Sequence, residues 1–290
     1  MKVSSTTLAL LSLILGNLMA SFSDVAVKLL EGEVFAFQYI FIRQFIATLV
    51  IAPLYFATRR HNHPVPPLNW KVTAIRANLI IVGASCMVVA ITYLPLATAN
   101  AVFYAAPLIM LPTSLLLLKE KPNSYKVIAT IVGFIGVLIV LRPSQFHWAA
   151  FFALGTAVTI ALFNVLVRKL PSEHSVIHTL FWTSLFSLPT SGLLAMLNWT
   201  AMSDSQVIWT VTSSLCILAY NGLAVFAYKR AQADQIALSE YSGLIFVTLM
   251  GIAWFNELPD IFTLLGIGLI ILPLVPPKYV FRRRRKANSM

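Results

Sequence analysis

Residues 118–136 read LKEKPNSYKVIATIVGFIG, and residues 255–273 read FNELPDIFTLLGIGLIILP. At a displacement of 137 residues the two align without a gap, placing Glu120 on Glu257 and Pro122 on Pro259. Upstream, the same register lays Tyr104 on Tyr241. Each copy is a charged, proline-containing turn followed by an apolar run of helical length. A displacement of 140 residues aligns the starts of the copies: SDVAVKLL (23–30) meets FNVLVRKL (163–170), pairing Asp24 with Asn164 and Lys28 with Arg168. A period this long, carried by breakers and charges more than by identity, marks a duplicated unit.

Composition identifies the solvent. The 290 residues are 59% hydrophobic and only 11% charged, with a mean hydropathy of +0.83. A soluble domain carries roughly 25% charged residues, so this chain cannot cover itself with polar groups. Apolar runs of about 20 residues match the length that crosses a hydrocarbon core as helix. Breakers such as KEKPNS, RPSQFHW and NELPD divide the chain into ten predicted helices. These cover 6–30, 34–57, 74–93, 97–118, 124–141, 147–169, 175–197, 207–229, 235–255 and 261–277. The N-terminus has the lysine and apolar run of a signal peptide. The run outlasts an h-region and no small-x-small site follows it, so it reads as a retained first span. Cys86 and Cys216 lie in apolar runs and read as small buried hydrophobes.

Charge sets the expected orientation. With a cytoplasmic N-terminus, 18 of the 21 Lys and Arg fall on cytoplasmic segments. Lys28 and Arg142 fall outside, and Arg43 lies within the second span. This is the positive-inside asymmetry. The basic tail FRRRRK (281–286) then anchors at anionic headgroups and calls for no nucleic acid. Five helices in each half invert the second copy relative to the first. The expected fold class is therefore an all-α membrane protein of ten transmembrane helices in two inverted five-helix repeats, with both termini cytoplasmic. The repeats cover 1–143 and 144–278, and a basic tail covers 279–290. Inverted repeats are a common plan of secondary transporters, whose substrate site lies near the midplane between the halves.

The segment NAVFYAAPLIMLPTSLLLLKEKPNSYKVIATIVGFIGVLIVLRP resembles the first repeat of the EamA family of the drug/metabolite transporter superfamily. The resemblance rests on Pro107, on Glu120 after it, and on the closing Gly133, Gly136, Val137 and Pro143. YKRAQADQIALSEYSGLIFVTLMGIAWFNELPDIFTLLGIGLII is similar to the second repeat, with its Glu240–Tyr241 pair and with Gly266 and Gly268, and Arg43 also fits. The chain departs in having Leu238 and Ser239 where a proline often precedes the Glu-Tyr pair. The resemblance implies transport of small organic metabolites across a bacterial inner membrane, often export of amino acids or similar compounds. Import of a cofactor-like or aromatic solute, such as riboflavin or an adenosyl metabolite, is the alternative. It leaves room for a coupling proton, a counter-substrate or a homo-oligomer, and calls for no cofactor. The sequence has no nucleotide-binding fingerprint, so a gradient or exchange is the expected energy source.

Ionisable groups at membrane depth are expensive and mark pathways or locks. Asp24 and Lys28 are four apart and share a helix face. By helical rise Asp24 lies roughly 9 Å, and Arg43 roughly 13 Å, from the outer ends of their helices, so an Asp24–Arg43 contact is expected. Glu240 lies roughly 8 Å from the cytoplasmic end of its helix by the same rise. The expected outer layer holds Asp24, Arg43, Phe103 and Tyr104, with Lys28 reaching up to the interface. The expected inner layer holds Asn164, Thr183, Glu240 and Tyr241. Both are read as gates or their supports, and a carboxylate such as Glu240 could bind a cation, a proton or an amine. Gln38, Asn100, Trp182 and Tyr220 join them as substrate-binding or gating residues. Pro107 and Pro112 are expected to kink the fourth helix. Gly133, Gly136, Gly155, Gly266 and Gly268 are expected to let helices pack closely. An enzyme would need converging nucleophile, base or metal ligands. The five histidines show no such spacing, so the chain reads as a non-enzyme.

Overall fold

A computed structural model describes residues 5–59, 69–119, 124–141, 147–171, 174–228, 239 and 242–272. The described residues are overwhelmingly helical and contain no strand. Numbered along the chain, the helices are α1 (Ser5–Lys28), α2 (Ala36–Arg59), α3 (Trp70–Tyr93), α4 (Leu96–Phe103), α5 (Ala106–Leu118), α6 (Ser124–Leu141), α7 (Ala149–Leu166), α8 (Val176–Ala195), α9 (Asp204–Tyr228), α10 (Ser242–Phe255) and α11 (Ile261–Ile271). Short 3₁₀ turns extend α7 over Val167–Lys169 and α8 over Met196–Asn198.

Seven stretches are long and apolar enough to cross a membrane, with α4 and α5 together counting as one. The shorter helices α6, α10 and α11 fall where three further spans are expected. Large apolar side chains face outward around the bundle, among them Leu116, Leu193 and Leu258. Water would penalise that surface and lipid would not. The chain is a multi-pass membrane protein.

The helix bounds repeat along the chain. α2 begins at 36 and α8 at 176, the displacement read from the sequence. Lys119 after α5 and Asn256 after α10 are both left-handed, with φ of 55° and 53°. After α10 the Asn256 amide donates to Ile252 O and the Glu257 amide to Gly251 O, closing the helix end. Packing repeats as well. α1 packs on α9 and α7 on α3, α2 on α8, and α6 on α11. In the last pair Gly136 and Gly266 touch backbone to backbone. A Cβ on Gly136 would lie 2.8 Å from Gly266 O, and one on Gly266 would lie 2.7 Å from Gly136 O. Gly136 also faces Ile270, while Gly266 faces Val140, so the two helices cross antiparallel. Gly133 gives room to Leu108 and Gly155 to Cys86, as expected of packing glycines. Gly268 faces open space and takes no part in close packing. Both cysteines are free and partly buried.

The expected fourth helix is broken, not merely kinked. α4 ends at Phe103, Tyr104 and Ala105 form a turn, and α5 restarts with Pro107 in its first turn. Pro107 has no N–H to offer the Phe103 carbonyl and its ring crowds that carbonyl, so the helix cannot run through. Pro112 lies inside α5 without ending it.

Candidate functional site

At the end of the bundle where α1 stops, three segments converge on one carboxylate. Lys28 forms an ion pair with Glu257 Oε1. The other oxygen of Glu257 accepts from the Leu96 amide at 2.7 Å, at the first turn of α4. Lys28 also donates to Leu94 O at 2.8 Å and lies 5.2 Å from the Phe255 ring centroid. The left-handed Asn256 turns the chain so that Glu257 points back across the end of α1. A carboxylate at a helix N-terminus satisfies an otherwise orphan amide and meets the positive end of the helix dipole. Lys28 thus pairs with Glu257 and not with Asp24, as the shared helix face had suggested. Lys28 is the last residue of α1, so its long side chain reaches past the helix end, away from Asp24 one turn back.

Asp24 and Arg43 are brought together deeper in the bundle. Asp24 accepts a hydrogen bond from the Asn100 side chain, and the Arg43 charge acts on it across α1 and α2. Asn100 is buried, and its amide also reaches Leu96 O at 3.3 Å. Asp24 is therefore linked through Asn100 to α4, the short helix whose first amide Glu257 caps.

Arg43 also lines a cavity of about 230 Å³ between α2, α3, α7 and α9. Its walls include Gly83 and Met87 of α3, Thr156, Thr159 and Phe163 of α7, and Ile217 of α9. Beyond Phe163 lies Arg76, which the sequence assigns to the cytoplasmic segments. The structure buries it at 3% exposure. Its guanidinium stacks 4.0 Å from the Phe163 ring centroid, and Nε donates to Phe163 O at 3.3 Å.

The Tyr104 hydroxyl sits in the notch of Gly243, where a Cβ would lie 2.0 Å from it. Around this notch Asn17 donates to Ser239 O at 2.8 Å and to Ser242 Oγ at 3.1 Å, and Ser21 donates to Gly243 O at 3.2 Å. The break between α4 and α5 is thereby tied to α1 and to the start of α10.

The remaining sequence-selected residues lie elsewhere. Gln38 is buried and exchanges two bonds with the Thr200 backbone, at 2.8 and 3.2 Å. This fixes the start of α2 to the link between α8 and α9. Trp182 stands in an aromatic cluster of α2 and α8 with Tyr55, His178 and Phe181, and its indole donates to Tyr55 Oη at 3.3 Å. Tyr220 packs on Gly16 at the seam of α1 and α9. Asn164 is exposed on α7, so the described residues do not gather it into a layer with Thr183, which is buried and donates to Thr179 O at 2.6 Å. Glu240, Tyr241 and Glu120 lie outside the described residues.

Besides the burial of Arg76, the sequence left two features unread. Glu257 stood out as the counterpart of Glu120 but not as the partner of Lys28. Its position after an apolar helix, followed by Leu-Pro-Asp, was the available signal. The walls supplied by Gly83, Thr156, Thr159 and Phe163 resemble ordinary packing residues and gave none.

The EamA-like transporter family model matches residues 7–142 and again 147–275. Curated relatives include an S-adenosylmethionine uptake transporter of Rickettsia prowazekii, 26% identical over 258 residues that cover 88% of this chain and 86% of the relative. A riboflavin transporter of Vibrio cholerae is 28% identical over 264 residues, covering 88% and 85%. A pseudopaline exporter of Pseudomonas aeruginosa is 23% identical over 270 residues, covering 90% and 93%. A solved crystal structure of 19% sequence identity superposes with a TM-score of 0.63 over 95% of this chain and 98% of its own, which shows a shared fold.

Proposed function

Because the chain belongs to the EamA-like transporter family, we propose that it is a secondary carrier moving a small organic metabolite across a bacterial inner membrane by alternating access. In this reading ten spans form two inverted repeats, 1–143 and 144–278, with both termini and the basic tail cytoplasmic. The Lys28 end faces outward. One observation carries the reading: Lys28, Glu257 and the first amide of α4 make a closure at one end of the bundle, and a charged residue, Arg43, lines a cavity among α2, α3, α7 and α9. The closure joins the end of α1 to the link after α10, elements of opposite halves. Rocking of the halves would therefore part Lys28 from Glu257. Asp24, Asn100 and Arg43 support the closure from below, and the Tyr104–Gly243 notch is the pivot beneath the break in α4.

Within this reading the solute is a compound of amino-acid size that is exported; its size is favoured by the cavity, whose 230 Å³ falls below the roughly 300–1,000 Å³ of sites for drug-sized ligands. Uptake of an adenosyl or flavin compound is the second reading, and the named uptake and riboflavin relatives favour it. Purified protein in liposomes decides between them. Labelled amino acids, S-adenosylmethionine and riboflavin are loaded singly, and efflux and counterflow are measured. Accelerated exchange of an amino acid selects the first reading, and exchange of either larger compound selects the second. Failure of all three to exchange would count against both.

A further inference from the structure

We infer that the Arg43 cavity takes a solute bearing a single carboxylate, bound by the Arg43 guanidinium; this rests on the carrier reading and names the class of its substrate. The charge balance comes first. Among the described residues, three charged side chains lie within spans away from the helix ends: Asp24, Arg43 and Arg76. Two are cations and one is an anion. Asp24 is already engaged by Asn100 and Arg43. Arg76 is buried, and among the described residues no acceptor reaches its Nη1. It lies one turn beyond Leu79 and Ile80 of the cavity wall, behind Phe163. Buried charge without compensation is costly, and among the described residues the cations outnumber the anion, which favours an anionic ligand in a cavity that a cation lines.

The donors and acceptors agree with that assignment. A guanidinium offers paired N–H groups that match a carboxylate, and Arg43 is the cationic side chain on the wall. Opposite it, the Thr156 hydroxyl donates to Phe152 O at 3.0 Å and the Thr159 hydroxyl to Gly155 O at 3.0 Å. The Thr156 hydroxyl also reaches Gly83 O at 3.3 Å and the Thr159 hydroxyl abuts Gly83, so both threonines are held against α3 and shape the wall. The other walls are apolar. The site suits a compact molecule with a carboxylate at one end and an apolar body.

The test measures binding of acids against their uncharged-end counterparts by the full-length protein in detergent. L-leucine, L-phenylalanine and S-adenosylmethionine are titrated, with leucinamide, phenylalaninamide and decarboxylated S-adenosylmethionine as controls. Ligand-dependent shifts in melting temperature give the affinities. The expected result is at least one acid binding tenfold or more tightly than its control. That ratio should narrow in Arg43→Lys, which keeps the charge but not the paired donors, and fall to within twofold in Arg43→Gln. Equal binding of acid and control by the natural protein overturns the inference, as does a ratio that survives Arg43→Gln or a panel in which no acid binds. Liposome exchange separates the two levels. Exchange of a solute without acid preference leaves the carrier standing and removes the carboxylate site. Acid-selective binding without exchange keeps the site and removes the carrier.

Discussion

The Lys28–Glu257 contact at one end of the bundle and the Arg43 cavity deeper within it are both built around a cation, yet they are finished differently. At the first, every partner is supplied by the protein: Glu257 gives one oxygen to Lys28 and the other to the Leu96 amide, and Lys28 adds a bond to Leu94 O. At the second, the cation faces open volume and shares its carboxylate, Asp24, with Asn100. A saturated ion pair between segments of opposite halves is suited to close a passage. A cation held in a cavity wall is suited to meet something that enters. Asn100 joins the two, because it bonds Asp24 and lies on the helix whose first amide Glu257 caps.

Substitutions can break or sharpen that contrast. The largest effect is expected from Glu257→Gln. It leaves Lys28, mostly buried, without a carboxylate while keeping an acceptor for Leu96. Breaking one side of a buried pair costs about 3 kcal/mol, a shift of roughly a hundredfold in the closing equilibrium. A cysteine placed at Leu94 should then label with a membrane-impermeant maleimide far faster than in the unlatched protein's natural counterpart. Unchanged labelling would separate the ion pair from closure. Next comes Asn100→Leu, which removes a hydrogen bond to a charged group worth about 2 kcal/mol. It should lower the melting temperature and also weaken solute binding, and an effect on stability alone would confine Asn100 to packing. Gly243→Ala should cost about 1–2 kcal/mol by overpacking, since the new methyl displaces the Tyr104 hydroxyl. Slowed exchange with unchanged binding would mark the notch as a pivot. The smallest effect is expected at Tyr39→Phe. Its hydroxyl bonds Ser213 at 2.8 Å within a buried chain that includes Ser23. Loss of about 1 kcal/mol in melting, with exchange unaffected, is the expected result for a contact outside both regions.

The all-helical membrane fold and the duplication were legible before the structure. Breakers and charges displaced by 137 and 140 residues anticipated the matched starts of α2 and α8 and the paired left-handed turns at Lys119 and Asn256. These features are local, because a proline or a charge acts on its own turn. Similar depth of Asp24 and Arg43 was legible from helical rise, and the Arg43 charge does act on Asp24, though the ion pair found among the described residues is Lys28 with Glu257. The partner of Lys28 was not, because Glu257 is 229 residues away and only the fold brings it close. Arg76 was counted with the surface charges from its place near a helix start. Its burial depends on Phe163 of α7, which no property of α3 reveals. The cavity walls were illegible for a related reason: threonine, glycine and phenylalanine in a span look the same whether they pack or face a solute.

The most direct test of alternating access holds the Lys28 end shut. In a background where Cys86 and Cys216 are alanine, Lys28→Cys and Glu257→Cys are combined and the protein is reconstituted in liposomes. The two cysteines replace long side chains, so a short reversible bis-methanethiosulfonate is used to bridge the thiols. The carrier account predicts that solute exchange stops when the bridge forms, while either single cysteine treated alike stays active, and that it returns on reduction. Exchange continuing at full rate in fully bridged protein would contradict it.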